Sequence, residues 1–355
     1  MIPDPLRPRR LAAFCFFLAA TLAAGGCLPS RVMIDLAPGD GRLEPAIVLK
    51  DDGASQSAPR IAIIDVLGLI SETPAPGLFA SGSTAVDSLI TRLDEAERDA
   101  RVRAVIIRIN SPGGTVGASE VMYDELIRFR ERSGKPVVAS MGEIATSGGY
   151  YIALAADHIV AQPSSITASI GVLAQTFNFS RGMERWGIEG RAVVSRPNKD
   201  IANPFEPPVE EHYALMQAMV DEHYLRFRGL VAERRPAAAA DPARFDQTTD
   251  GRIVTGADAL DLGLVDSLGT VRDAFTHAKS LANIPTAVLV KYHPESASPP
   301  RSPYSVSGPG APAESGATRT TWLSAGPVHI ESSGAPTLSP GFYYLWTAPG
   351  APAGW

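Results

Sequence analysis

The residues best suited to chemistry lie in a run of small side chains at residues 142–153, where Ser147 is followed by two glycines. The apolar run 135–141 predicts a buried strand, and residues 147–156 predict a packed helix rich in alanine. Ser147 would then begin the helix at its positive end, and the glycines would let a substrate backbone approach closely. This position is typical of a nucleophile. An ordinary helix N-cap explains it equally well, because serine is among the preferred N-cap residues.

A second candidate is the turn at residues 110–114, Asn-Ser-Pro-Gly-Gly, which follows a predicted strand and precedes a predicted amphipathic helix. Gly113 and Gly114 would expose backbone N–H groups there. Such donors, aimed where negative charge develops during acyl transfer, form an oxyanion hole that typically contributes about 3 kcal/mol. A plain turn between strand and helix explains the same residues, so this segment alone does not indicate a hydrolase.

Lysine is scarce in this chain, which makes each lysine informative. Of 32 lysines and arginines only five are lysines, at positions 50, 135, 199, 279 and 291. Arginine stays protonated in proteins, whereas a lysine beside apolar surface can become neutral and act as a general base. Lys199 fits that role, although an exposed surface position is the default for it. The six histidines show no catalytic spacing, so a Ser/Lys pair is favoured over a Ser-His-Asp triad.

Seven motifs, in a matching order and spacing, resemble the signal peptide peptidase A family of serine proteases. That family shares its architecture with the Clp protease and crotonase folds. The motifs are RIAIIDV at 60–66, NSPGG at 110–114, ATSGGYY at 145–151, SIGV at 169–172, NKD at 198–200, DGRIVTG at 250–256 and GLVD at 263–266. The resemblance therefore extends over most of the predicted domain.

The resemblance implies a role for each matching residue. It makes Ser147 the nucleophile, Lys199 the general base, Ser169 the residue that orients the lysine, and Gly113, Gly114 and Gly148 the oxyanion-hole region. No cofactor and no metal are implied. The half-length form of the family resembles ring oligomers in which neighbouring subunits supply the serine and the lysine, so a homo-oligomeric ring is expected. One departure is the Ser-Arg-Pro-Asn sequence at 195–198, where the family usually has a glycine, and it predicts a stiffer loop.

The N-terminal residues predict the compartment. Arg7, Arg9 and Arg10 precede an apolar run at 11–24 that ends in Gly-Gly-Cys, with the cysteine at position 27. The run is short for a membrane-spanning helix and typical of a secretory signal. Residues 1–27 are therefore predicted to be a lipoprotein-type signal with lipidation at Cys27, and an uncleaved anchor is the alternative. Either places the protein on a membrane of the bacterial cell envelope, with its catalytic domain outside the cytoplasm.

Composition excludes some classes of function. The formal net charge of -6 offers no basic field for nucleic acid, so nucleic-acid binding is not expected. The chain has two cysteines, one of them inside the predicted signal, so neither a disulfide framework nor a cysteine metal site is expected.

Strands and helices alternate along residues 60–283, which predicts one α/β domain with a largely parallel sheet and flanking helices. Residues 28–59 are predicted to be a tether or an edge extension of the sheet. Residues 284–355 are predicted to be a mostly disordered tail, because Pro, Gly, Ser and Ala cannot bury a core. Within the tail, 287–292 predicts a weak strand, and the aromatic cluster 342–346 is interpreted as a short ordered patch or a docking segment.

Together these features predict a membrane-tethered serine endopeptidase that cleaves peptides, such as remnant signal peptides, through an acyl-enzyme. Two other classes stay open. A crotonase-type acyl-CoA enzyme would use the same kind of oxyanion hole without a Ser/Lys pair, and an export signal is unusual for it. A catalytically silent membrane-associated scaffold would keep the fold without turnover.

Overall fold

The computed structural model describes residues 42–73, 84–295, 297–305 and 342–345. The predicted signal segment, including Cys27, lies outside the described residues. None of the helices within the described ranges combines the length and the apolar character that a membrane span needs.

The described residues form an α/β fold. The strands are β1 (Leu43–Lys50), β2 (Arg60–Leu67), β3 (Val102–Ser111), β4 (Gly113–Thr115), β5 (Val137–Thr146), β6 (His158–Ala161), β7 (Ile166–Ala168), β8 (Leu173–Ala174), β9 (Ile253–Thr255), β10 (Ser267–Leu268), β11 (Val288–Pro294) and β12 (Phe342–Leu345). The helices are α1 (Ala85–Arg98), α2 (Val116–Ser133), α3 (Gly148–Ala153), α4 (Ser180–Arg185), α5 (Glu210–Arg234), α6 (Pro236–Ala239), α7 (Pro242–Thr248), α8 (Gly256–Asp261) and α9 (Val271–Leu281).

The main sheet is largely parallel, as the sequence predicts. Its strand order is β1-β11-β2-β3-β5-β6-β10, with β7 joined to the far end of β5 and β9 joined to β7. All of these pairs are parallel except β1 with β11 and β7 with β9. The predicted α/β class with a parallel sheet is therefore confirmed.

Both faces of this sheet are covered, which explains its continuous apolar strands. Alternate residues of β2 enter two separate cores. Ala62, Ile64 and Val66 face the core that contains residues of α1, α2 and α3, and Ile61 and Ile63 face the core beneath α9. A strand buried on both faces has no polar side to present, so β2 and β3 lack the alternation of a half-exposed strand.

The sheet extends beyond the predicted domain limits of 60 and 283 at both ends. Strand β1 comes from the predicted tether and pairs along its length with β11, which comes from the predicted tail. Strand β11 in turn pairs with β2, so both added strands continue the main sheet. A second, three-stranded sheet has the order β4-β12-β8, and its middle strand belongs to the aromatic cluster near the C-terminus.

Helix α2 is fixed at both ends by residues that its sequence supplies. The Thr115 side chain accepts the Ala118 N–H at the N-cap, and Gly134 ends the helix with a left-handed φ of 65°. Because Thr115 is also the last residue of β4, the cap joins the helix directly to the Gly113–Gly114 segment.

Candidate active site

Ser147 lies at a sharp turn between β5 and α3, and its backbone is strained. Its φ is 53° and its ψ is -114°, a combination that side-chain-bearing residues rarely adopt and that costs about 1–3 kcal/mol. Its side chain makes no capping hydrogen bond to α3. The alternative interpretation of Ser147 as an ordinary N-cap therefore does not hold, since an N-cap serine has an extended backbone and bonds the first turn.

The Ser147 hydroxyl is held without a partner. The residue is 1% exposed, and its Oγ makes no hydrogen bond within the part of the chain that the structure describes. The backbone around it is fully engaged, because the Ser147 N–H donates to Ala168 O at 2.7 Å and its carbonyl accepts the Tyr151 N–H at 2.8 Å. A fixed backbone with a free hydroxyl is the arrangement that a nucleophile needs.

Gly148 brings the serine turn against the Gly113–Gly114 segment. A Cβ at position 148 would lie 2.5 Å from Ser119 Oγ and 3.1 Å from the backbone nitrogen of Gly114, so no larger residue fits without a shift of its neighbours. Gly148, which was predicted to let a substrate backbone approach closely, therefore also lets the backbone of Gly114 approach closely. Ser147 and the predicted oxyanion segment are adjacent in space.

The two glycines of that segment differ in what their N–H groups do. The Gly113 N–H donates to Ser111 Oγ at 3.0 Å. Gly114 is flanked by two bonds to Ile70, from Ile70 N–H to Gly113 O and from Thr115 N–H to Ile70 O, each at 2.9 Å. Successive residues of a strand point their backbone groups to opposite sides, so the N–H of Gly114 points away from Ile70, toward β12. Of the two glycines, Gly114 is thus the better-placed donor, and Ser111, which the sequence patterns did not single out, binds the N–H of Gly113.

Ser169 directly follows Ala168, whose carbonyl accepts the Ser147 N–H. Ala168 and Ser169 have φ values of 65° and 54°, and the Ser169 N–H donates to Arg252 O at 2.8 Å. Two successive residues in this strained region turn the chain sharply at the end of β7. Ser169 is buried, with 6% exposure, next to the serine turn.

Aromatic residues after the two glycines pack the first turn of α3 in place. Tyr150 is fully buried and donates its hydroxyl to Leu264 O at 2.9 Å. The Tyr151 ring lies 5.5 Å from that of Tyr123 and 5.0 Å from that of Phe227. Burial raises the pKa of both Tyr150 and Tyr151, so both phenols stay neutral. They form a rigid support for the serine turn rather than acid–base groups.

No hydrogen bond among the described residues links Lys199 to this cluster. Lys199 lies in an arm, residues 173–209, that leaves the sheet after β7 and returns through α5, and it is exposed. No hydrogen bond or ion pair of the Lys199 amine is present among the described residues. The lysine whose amine is buried is Lys291, which donates to Asp65 Oδ2 at 2.7 Å and to the carbonyls of Pro303 and Ser305. Those bonds satisfy all three of its protons, so Lys291 has a structural role.

The arm also exposes many large apolar side chains. They are Phe177, Phe179, Trp186, Ile188, Val193, Val194, Ile201, Phe205 and Val209, and they run from 39% exposed to 98% exposed at Val193. An apolar surface of this extent on one segment is typical of a protein interaction site.

Within the described ranges, no group of three or more His, Cys, Asp or Glu side chains is arranged to hold a metal ion.

Comparisons with known proteins identify relatives of this chain. The profile of Peptidase family S49 matches residues 130–285. Protease 4 of Salmonella typhi is 38% identical over 237 residues, covering 66% of this chain and 37% of its own length. An Enterococcus faecium protein provisionally named signal peptide peptidase SppA is 31% identical over 242 residues, covering 68% of this chain and 69% of its own length. Among solved structures, a mutant of the 1510-N membrane-bound stomatin-specific protease aligns with a TM-score of 0.38 and 15% identity, over 62% of this chain and 85% of that one.

The family profile and the curated relatives define the class as the peptidases of family S49. Within that class, the chain belongs to the signal peptide peptidase A family. It spans little more than a third of Protease 4, so it corresponds to one part of that longer protein.

Proposed function

We propose that this protein is a membrane-tethered serine endopeptidase of the bacterial cell envelope, with Ser147 as nucleophile and Lys199 of a neighbouring copy as general base. The observation that carries the proposal is the strained, buried Ser147, whose Oγ has no partner among the described residues and whose turn packs through Gly148 against Gly114. Membership in a peptidase family supports peptide hydrolysis and gives no support to the acyl-CoA alternative. Remnant signal peptides are the proposed substrates.

The chemistry follows from the residues. A neutral Lys199 amine removes the Ser147 proton, and the alkoxide attacks the peptide carbonyl. The Gly114 and Gly148 N–H groups stabilise the resulting oxyanion. The peptide C–N bond then breaks, and the leaving amine takes from Lys199 the proton that came from Ser147. Water finally hydrolyses the acyl-enzyme. Ser169 would hydrogen-bond the lysine once the neighbouring arm docks. Anchorage through a lipidated Cys27 would keep the site close to membrane-derived peptides.

The dyad is proposed to form between copies for two reasons. Among the described residues of one chain, the Ser147 hydroxyl has no hydrogen-bond partner, and the lysine is exposed on an arm that also exposes large apolar side chains. Docking that arm on a neighbour would bury the apolar residues and desolvate the lysine, which lowers the pKa of an amine toward the value that a general base needs. A homo-oligomeric ring satisfies this head-to-tail contact for every copy.

The test is labelling of the full-length protein, in detergent, with a fluorophosphonate probe, together with cleavage of a fluorogenic peptide. Ser147→Ala and Lys199→Ala should each abolish both signals. Ser140→Ala, at another buried serine, and Lys50→Ala, at another exposed lysine, are the matched controls and should behave as wild type. A folded wild-type oligomer that neither labels nor cleaves would instead indicate the silent scaffold.

A further inference from the structure

The C-terminal aromatic segment forms a strand next to the helix that follows Ser147. Strand β12 pairs antiparallel with β4 on one side and with β8 on the other, which makes it the middle strand of the small sheet. Its register places Tyr344 opposite Gly114, and Tyr343 opposite both Thr115 and Leu173. The same strand also contacts α2 and α3, the helix that follows Ser147. The segment therefore lies between β4, which contains Gly113 and Gly114, and β8, which begins the arm.

The register matters because of where Gly114 points. Its N–H and carbonyl face β12, and its partner in the antiparallel pair is Tyr344. A residue pair whose backbone groups face each other in an antiparallel ladder exchanges both hydrogen bonds. The Tyr344 carbonyl is thus aimed at the N–H that we assign to the oxyanion hole, which is where the carbonyl of a scissile bond would lie.

Burial shows that the segment is held by more than its backbone. Tyr343 is only 4% exposed, and burial raises the pKa of its phenol. A bound extended peptide that adds a strand to a sheet edge takes its affinity from backbone bonds and its specificity from alternate side chains in pockets. Tyr343 is in the position of such a side chain, one residue before the carbonyl that faces Gly114.

We propose that residues 342–345 are an internal competitor for the peptide-binding edge, with Tyr343 as the anchoring side chain. The proposal rests on the proposed function in that the edge belongs to a peptidase site. A tethered segment acts at an effective concentration of about a millimolar, so even a weakly binding strand would occupy the edge. A substrate must displace it, and the peptides that do so best should carry an aromatic residue as the second residue before the cleaved bond, the position that corresponds to Tyr343.

The first experiment uses Tyr344→Pro in the full-length protein. Proline removes the N–H that pairs with Gly114 and disfavours the ladder. Displacing the strand should raise the rate of fluorophosphonate labelling about tenfold and lower KM with little change in kcat, equivalent to about 1.4 kcal/mol. Ser332→Pro, a proline in the same tail, is the matched control and should behave as wild type. Unchanged labelling and KM in both Tyr344→Pro and Tyr343→Ala would overturn the proposal.

A second experiment does not depend on catalysis. A fluorescent synthetic peptide with the sequence of residues 338–348 is titrated into Ser147→Ala and into Ser147→Ala with Tyr344→Pro. Stronger binding to the double variant is expected, because its own tail has left the edge. If that holds while no variant labels or cleaves, the proposed peptidase function fails and the competitor stands. If labelling is strong but both proteins bind the peptide equally, the competitor fails and the peptidase stands.

Discussion

The serine turn and the lysine arm differ in how much of their structure the single chain completes. Ser147 is 1% exposed, and its backbone bonds are made within the chain, to Ala168 and Tyr151. The arm that carries Lys199 exposes Trp186 at 84% and Val193 at 98%. One region is built around the sheet, and the other presents the composition of an interface to solvent. If the proposed function is right, one chain fixes the nucleophile within its own fold and an assembly supplies the base.

The largest effect is expected when two inactive variants are mixed. Ser147→Ala and Lys199→Ala should each lose at least about a thousandfold in kcat/KM, since a Ser/Lys pair acts as a unit. Co-assembled at a one-to-one ratio, they should recover about one quarter of wild-type activity, because half of the subunits carry the serine and half of their neighbours carry the lysine. Peptide cleavage after joint refolding measures this. No recovery in a confirmed mixed oligomer would mean that both residues act from one chain.

A second prediction concerns how much the buried ion pairs of Asp65 stabilise the sheet. Asp65 binds the Lys291 amine and the Arg108 guanidinium at 2.7 Å each, and all three side chains are at most 10% exposed. Asp65→Asn would leave two buried cations without their anion, which should lower the free energy of unfolding by about 3 kcal/mol.

Because burial lowers the pKa of Lys291 and Asp65 raises it, losing Asp65 should lower that pKa further. Part of the lost stability should therefore return as the pH rises and Lys291 loses its proton. Urea unfolding at neutral and alkaline pH measures both effects. Arg128→Gln, at an exposed ion pair, is the control and should change stability by less than about 0.5 kcal/mol. A loss as small as that in Asp65→Asn would contradict the prediction.

A third prediction concerns acid stability at Asp266, which joins β6 to the end of α5. Its carboxylate accepts the Ile159 N–H at 2.7 Å and the Arg235 guanidinium at 3.0 Å. Burial opposes the charge, yet these bonds hold its pKa below the ordinary 3.8. The stabilisation is then present above pH 3.8 and is lost as the pH falls through the lower folded value. Asp266→Asn should cost about 2 kcal/mol at neutral pH and flatten the acid limb of the unfolding curve. A parallel acid limb would show that another carboxylate is responsible.

A fourth prediction tests whether the apolar arm forms the interface between copies. Trp186→Glu places a charge on the most apolar part of the arm and should weaken assembly, with activity falling roughly tenfold at a fixed protein concentration. The loss should be reversed at higher concentration, while the thermal unfolding of the core stays unchanged. Light scattering and cleavage assays measure the two together. Leu281→Glu, at an exposed apolar residue of α9, is the control, and an equal effect there would contradict a specific interface.

The smallest expected effect lies at the serine turn itself. Ser147→Gly removes the side chain that makes a φ of 53° unfavourable, so it should raise the free energy of unfolding by up to about 1 kcal/mol while abolishing labelling. Ser147→Ala keeps the strain and serves as the control. Equal stability of the two variants would show that the turn is not strained.

Much of the framework follows from local patterns. The helix at 85–98 was predictable, because its Thr84 capping box and its apolar periodicity act within one segment. The strand at 60–67 was predictable from its continuous apolar run. The helix after Ser147 was predicted through residue 156 but ends at Ala153, and β5 continues to Thr146, beyond the predicted end of the strand at residue 141. The latter extension depends on pairing with β7, a partner that a local pattern does not reveal.

The sequence by itself determined the α/β class, the motif order and the residue types able to do acyl transfer, because these depend on composition and spacing. Tertiary structure decided which donors face the site, since Ser111 engages the N–H of Gly113 and Ile70 orients Gly114. It also decided that residues 342–345 form a strand that contacts the helix after Ser147, and that Lys199 is exposed. Those outcomes depend on contacts between segments far apart in sequence, whose free energy no single segment contains.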